Sequence, residues 1–412
     1  MSALFSPYRL RSIELPNRIV ASPMCQYSAM DGFVQDWHLM HYGRLALGGI
    51  AMAILEATAI VPKGRLGYGD LGIWSDDHIS GLARIADLLL SQSVVPAIQL
   101  GHAGRRACTQ RPWHGHGPIG PEDFGLRSEA RWPPVSVSRE PAGNAYPAPK
   151  ALTVSDIEFL IGAWKDAARR CLQAGFQIVE IHAAHGYLLH AFLSPLSNHR
   201  TDSFGGDIAG RMQFCLRVAE AVRTVWPSHL PLLFRISTCD GSDAGWSLDD
   251  SVLLAKELKA RGVDAIDCSS GGIRYSSTLI ARNPGFQVPF AAHVKRHAEI
   301  PTVAVGLITE PEQANAIIRS EQADLVAIGR ELLFNANWPL HAQLELEPEK
   351  GFSRWPDQYG WWLNHRKGLD VRPRVASPVV ATGPNVDAGE IRFPRATSLP
   401  ARLPNEHCKV AK

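Results

Sequence analysis

The 412 residues carry 42 Lys and Arg against 40 Asp and Glu, with 45% hydrophobic and 20% charged residues, the balance of a soluble globular chain. A net charge of +2 gives no reason to expect nucleic acid or an anionic membrane as a partner, and no apolar run approaches the ~18 residues that span a bilayer. The seven cysteines (Cys25, Cys108, Cys171, Cys215, Cys239, Cys268 and Cys408) are scattered and odd in number. They read as reduced thiols, and with no basic-then-apolar leader at the start a cytoplasmic protein is expected.

In chain order, one pattern repeats. Nearly continuous apolar runs at 18–24, 51–57, 94–100, 176–181, 232–237, 265–268, 302–305 and 325–328 predict strands buried on both faces. Amphipathic stretches at 36–47, 77–91, 156–174, 207–225, 248–261, 290–297, 311–319 and 338–346 predict the helices between them. Ser155-Asp-Ile-Glu158 and Thr309-Glu-Pro-Glu312 read as capping boxes at helix starts. Gly175 and Gly262 stand where helices end in a left-handed residue. Eight strand–helix units predict an α/β fold, a closed (β/α)8 TIM barrel forming a single domain over 1–367. An open doubly wound sheet is the runner-up, but no Gly-x-Gly-x-x-Gly follows the first strand.

Two stretches break the pattern. The loop at 101–150, after the third strand, is long and rich in Gly, Pro, His and Arg, and in a barrel it overhangs the catalytic face. The stretch 368–412, with six Pro and seven basic against four acidic residues, reads as an irregular Pro-rich C-terminal tail. Just before it, 355–362 is an aromatic patch suited to docking another subunit.

Chemistry in a barrel sits just past the strand C-termini. The ends of strands seven and eight present Gly306 and Gly329-Arg330, a turn and a guanidinium that suit a phosphate; a tight turn with a surface Arg is the plainer alternative. Strand four ends in His182-Ala-Ala-His185-Gly-Tyr187. A metal would need a further ligand, and none of Glu-x-x-His type stands nearby, so no metal is expected. As hydrogen-bond donors the two imidazoles would polarise a carbonyl or phenolate oxygen, against the plainer reading of satisfied core histidines. Tyr187 suits proton donation to a carbanion, and Tyr27 a hydrogen bond to a carbonyl, although either is equally an interior aromatic. Cys25 is either a small buried residue or a tuner of a redox cofactor. Gln99 and Arg235 are the groups expected along the polar edge of a flavin ring.

The motifs Asn17-Arg-Ile-Val-Ala-Ser-Pro-Met-Cys-Gln-Tyr27, Gln99-Leu-Gly-His-Ala-Gly-Arg105, Glu180-Ile-His-Ala-Ala-His-Gly-Tyr187 and Ile328-Gly-Arg330 give the chain a close resemblance to the Old Yellow Enzyme family. Cys25 with Tyr27 is similar to its bacterial xenobiotic-reductase-like class. The resemblance implies tightly bound, non-covalent FMN, with Ser22, Pro23, Met24, Cys25, Ala57, Gln99, Arg235, Gly306, Gly329 and Arg330 as its binding residues. It implies NADPH or NADH as electron donor and small-molecule activated alkenes as substrates: α,β-unsaturated carbonyl or nitro compounds. Hydride then passes from flavin N5 to Cβ and a proton from Tyr187 to Cα, with His182, His185 and Tyr27 binding the activating oxygen. It further implies a homodimer or homotetramer in which Trp362 closes a neighbour's pocket. A flavin-binding redox or ligand sensor without turnover is the alternative. An iron–sulfur relative of the superfamily is disfavoured, because only Cys408 lies beyond Cys268.

Overall fold

The computed structural model describes residues 2–273, 280 and 282–366. Eight strands close a barrel: β1 (Ile19–Ala21), β2 (Met52–Ala59), β3 (Val95–Gly101), β4 (Ile178–Ala183), β5 (Leu232–Ser237), β6 (Ala265–Ser269), β7 (Thr302–Val305) and β8 (Leu325–Ile328). All neighbours pair in parallel, and β8 returns to β1 with Val326 opposite Ile19. Each strand is followed by a helix on the outside: α1 (Asp36–Leu47), α2 (Ile79–Ser91), α3 (Val154–Gln173), α4 (Ile208–Arg223), α5 (Leu248–Ala260), α6 (Val288–Ala298), α7 (Pro311–Arg319) and α8 (Trp338–Leu346). This is the (β/α)8 TIM barrel expected from the repeat.

The strands are apolar on both faces because they serve two cores. Ile98, Val179, Ile181, Phe234, Ile236 and their like face outward against the helices. Val20, Ile54, Ala97, Ile178, Leu233 and Val303 fill the lumen, and Leu10 and Leu15 join them. Those two leucines belong to a short antiparallel hairpin, Tyr8–Leu10 with Ile13–Leu15, which the sequence pattern did not reveal.

Several expectations move. The first strand was expected to reach residue 24 but stops at Ala21, so Ser22, Pro23, Met24 and Cys25 lie past its end. The long helix does not start on the Ser155–Glu158 box. Thr153 is the cap: its side chain accepts from Asp156 N while Asp156 reaches back to Thr153 N. At α7 the cap is Glu310, with no side-chain capping bond, and Thr309 N donates instead to Gln313 Oε1. Gly175 and Gly262 end their helices at φ +85° and +84°, as expected. The loop after β3 carries a short helix, Pro121–Arg127, and a two-residue parallel pair, Val135–Ser136 with Lys150–Ala151. The compact unit runs from Met1 to His365; the tail expected over 368–412 lies outside the described residues.

Candidate active site

At the C-terminal mouth the lumen turns from apolar to polar. Ser22, Gln99, Glu180, Arg235 and Asp267, all buried, stand there above the aliphatic layers. A cavity of about 1270 Å³, counted out to solvent, opens over them. The enclosed part is about 460 Å³, within the range of about 300–1,000 Å³ usual for cofactor and ligand pockets. Its wall brings together Ser22, Pro23, Met24, Arg235, Gly306, Gly329 and Arg330, seven of the ten residues expected to hold the cofactor, along with His185. A smaller recess, about 290 Å³ counted out to solvent, adjoins β2 and β3 and is lined by Cys25, Ala57, His182 and Tyr187. Gln99 sits one layer down, donating through Nε2 to Glu180 Oε1 at 2.7 Å.

The end of the cavity beside β7 and β8, expected to take a phosphate, is lined in part by bare backbone. Gly306 adopts φ +118°, and a Cβ there would lie 2.8 Å from Gln287 Nε2 and 3.0 Å from the Phe286 ring. A side chain at that point would fill the cradle, so glycine is required both for the turn and for the space. Arg330 begins the short helix Arg330–Phe334 and lines the same cavity. Arg235 donates from Nη1 to Ser22 Oγ at 3.0 Å and holds Nε 3.5 Å from Asp267 Oδ2. A cation at one end, a second cation over the lumen and a roomy slot between them match the phosphate and the polar ring edge of FMN.

The catalytic candidates come from the end of β4. The rings of His182 and His185 meet edge-on with centroids 5.1 Å apart, and His182 and Tyr187 do so at 4.9 Å. His182 Nδ1 accepts from Ala184 N at 3.3 Å, leaving Nε2 to carry the proton. His185 sits at φ +60°; its amide donates to Ser237 Oγ, and its Nε2 lies 2.6 Å from Ser269 Oγ. Burial, followed by the charge of Arg235, pulls both imidazoles well below their ordinary pKa. They are therefore neutral hydrogen-bonding groups rather than cations. Behind them, Gly186 N donates to His190 Nδ1, and His190 Nε2 faces Asp240 Oδ1 at 3.1 Å in a fully buried pair. This anchors Tyr187, the residue that opens the helix Leu188–Leu193.

Cys25 and Tyr27 follow β1 on a segment pinned from behind. Gln26 N donates to Glu56 Oε2 at 2.8 Å, and Arg111 Nε donates to the Tyr27 carbonyl at 3.0 Å. Burial, then the Asp70 and Glu56 carboxyls, push the Cys25 thiol up, so it stays protonated. Burial and the neighbouring Cys25 and Tyr187 likewise push the Tyr27 phenol up. The Tyr27 ring stands edge-on to Trp113 at 5.9 Å. Trp362, on the helix Asp357–Asn364, is 70% exposed and lines neither cavity of its own chain. A role for it in a pocket therefore requires a second subunit.

The long loop after β3 reaches over to the loop after β6. Arg105 donates to the Ile273 carbonyl at 2.6 Å and Arg106 to the Gly272 carbonyl. Sequence reasoning missed these contacts, as it missed Glu180 and Asp267. Glu180 was in plain view: two residues before His182 on a strand, it must share that residue's face. A lone Asp in the apolar run of β6 was the matching signal. No group of three or more His, Cys, Asp or Glu among the described residues is placed to hold a metal ion.

A closed parallel barrel with Gly306 and Gly329-Arg330 past strands seven and eight, and the Arg235 guanidinium at its mouth, fits the class of flavin-dependent oxidoreductases. The chain belongs to the NADH:flavin oxidoreductase / NADH oxidase family, whose model matches residues 3–349. It is 44% identical over 347 residues to an NADPH dehydrogenase of Geobacillus thermodenitrificans strain NG80-2, covering 84% of this chain and 95% of that one. An NADPH dehydrogenase of Bacillus velezensis strain FZB42 is 41% identical over 348 residues, covering 84% and 96%. Among solved structures, morphinone reductase superposes with a TM-score of 0.70 at 25% identity, over 84% of this chain and 90% of that one. The Old Yellow Enzyme resemblance thus holds. The protein is an NAD(P)H-dependent oxidoreductase that uses FMN with NADPH or NADH as electron donor.

Proposed function

We propose that this enzyme is an ene-reductase, using NADPH in preference to NADH to saturate the activated C=C bond of small α,β-unsaturated carbonyl or nitro compounds. The observation that carries it is the His182–Tyr187 contact at the mouth: a neutral hydrogen-bond donor and a phenol 4.9 Å apart, ring to ring. The preference for NADPH is supported by the names of the relatives. When bound, FMN would supply the two-electron hydride chemistry that links the nicotinamide to the alkene's β-carbon.

The remaining work falls to side chains. Gly306, Gly329 and Arg330 would hold the cofactor's phosphate, and Ser22, Pro23, Met24, Cys25, Ala57, Gln99 and Arg235 would contact its ring. His182 donates from Nε2 to the substrate's activating oxygen, with His185 and Tyr27 completing the clamp. Drawing charge onto that oxygen makes the β-carbon electrophilic, and one such donor is worth about 3–4 kcal/mol in the transition state. Tyr187 delivers its hydroxyl proton to Cα. The exposed Tyr359, Trp361 and Trp362 support a homodimer or homotetramer, in which Trp362 closes a neighbour's pocket. Six free cysteines among the described residues support a cytoplasmic setting.

Anaerobic stopped-flow spectroscopy tests the reading. NADPH should bleach the yellow protein, and 2-cyclohexenone should restore the colour faster than buffer does. Restoration at the buffer rate would leave a flavin-binding sensor as the better description.

A further inference from the structure

Four side chains from consecutive strands interlock beneath the larger cavity. Gln99 on β3 lies beside Glu180 on β4, and Arg235 on β5 beside Asp267 on β6. All are at least nine-tenths buried, and the two carboxyls have no exposed surface. We propose that Glu180 and Asp267 are positioning residues: they orient the Gln99 amide and balance the Arg235 guanidinium, and through these two groups set how strongly the site favours reduced over oxidised flavin. The inference rests on flavin binding, which the family assigns, and not on the identity of the alkene.

The hydrogen bonds impose the orientation. A carboxylate oxygen only accepts, so the amide nitrogen of Gln99 must face Glu180 Oε1, where it lies 2.7 Å away. The amide oxygen is then what Gln99 offers to a ring N–H. Arg235 is stretched between Asp267 Oδ2, 3.5 Å from Nε, and Ser22 Oγ, 3.0 Å from Nη1. Ser22 and Arg235 both line the cavity, so the carboxylate fixes the guanidinium against its wall.

The charge count follows from burial. Glu180 Oε2 and both Asp267 oxygens lack a hydrogen-bond partner among the described residues. Desolvation, then the charge of Asp267, holds Glu180 well above the ordinary carboxylate range; desolvation raises Asp267 too. Two such groups hold one proton between them, which gives two of the three orphaned oxygens, its donor and its acceptor, a partner. The charged or titratable groups facing Glu180 are Asp267 and Arg235; those facing Asp267 are Arg235 and Glu180. With one proton shared, the pair carries a single negative charge and cancels Arg235. When that proton leaves at higher pH, a net negative charge appears under the ring and opposes electron uptake.

The test is the midpoint potential of FMN in the holoenzyme, titrated across neutral and alkaline pH. The double variant Glu180→Gln/Asp267→Asn leaves Arg235 uncancelled. It should favour reduced over oxidised FMN by about tenfold more, which is about 30 mV upward for a two-electron couple. Each single variant retains one carboxylate and no shared proton, so it should lose the alkaline downward bend of the wild type. A double variant at the wild-type potential, or single variants that keep the bend, would overturn the proposal. If the double variant fails to fold, the single variants decide. Thermal unfolding of FMN-free protein adds the control: a purely structural pair would lower the melting temperature and leave the potential in place, which also refutes the idea. Failure of the flavin reading would look different, as colourless wild-type protein.

Discussion

Tyr187 stands edge-on to His182, ring centroids 4.9 Å apart at 86°. In the proposed mechanism this contact joins a proton source to a group that polarises the substrate, so the two residues should fail in different ways.

Replacing Tyr187 with Phe keeps the ring packing and removes only the hydroxyl. Alkene reduction should slow by about 10²–10⁴-fold, the usual contribution of a positioned acid. Flavin reduction by NADPH should be nearly unchanged. Separate stopped-flow measurement of the two half-reactions checks this; equal losses in both would remove Tyr187 from the proton-donor role.

His182→Ala should act on recognition of oxygen. Loss of one preorganised donor costs about 10²–10³-fold in rate on an enone. Binding of phenols should weaken as well, seen as loss of their long-wavelength charge-transfer absorbance. Persistence of that band at wild-type affinity would show that the oxygen sits elsewhere.

Glu56 gives a pH signature in stability. Burial pushes its carboxyl up to about 8 from an ordinary 4.5. Between those values the folded state holds a proton that the unfolded chain releases, so this contribution to stability is present at low pH and lost as pH rises through the window. Glu56→Gln keeps an acceptor for Gln26 N but cannot ionise. Its stability relative to wild type should therefore improve from acid to mildly alkaline pH, measured by denaturant unfolding. A pH-independent difference would mean that Glu56 is ionised throughout.

Two neighbouring substitutions test the start of α3. Thr153→Ala removes the cap that accepts from Asp156 N and should cost about 1 kcal/mol of unfolding free energy. Ser155→Ala, inside the first turn, should cost far less. The reverse order would restore the box first read from the sequence.

Trp362→Ala should change substrate affinity only in an oligomer. Light scattering on wild type, followed by KM for a bulky enone, decides it. A monomeric wild type whose variant still shifts KM would require an intrachain route from an exposed residue to the pocket.

The barrel was legible because its strands serve two apolar cores, so each appears as an unbroken hydrophobic run. The hairpin of Leu10 and Leu15 was not, since three-residue strands leave no period to detect. The start of α3 was misread because Thr153 with Asp156 and Ser155 with Glu158 overlap as equivalent signals, and only the backbone chooses between them. His182, His185 and Tyr187 were visible as polar groups closing an apolar strand. Glu180 and Asp267 escaped notice because their partners come from other strands: Gln99 is 81 positions from Glu180. The contacts of Arg105 and Arg106 were hidden for the same reason, with 168 and 166 positions between donor and acceptor.

Those two arginines have a practical consequence for anyone reshaping the enzyme. They stitch the third excursion to the sixth, so a graft that exchanges one without the other breaks the hydrogen bonds to the Gly272 and Ile273 carbonyls. Libraries aimed at bulkier substrates should diversify the two stretches together, as a single cassette.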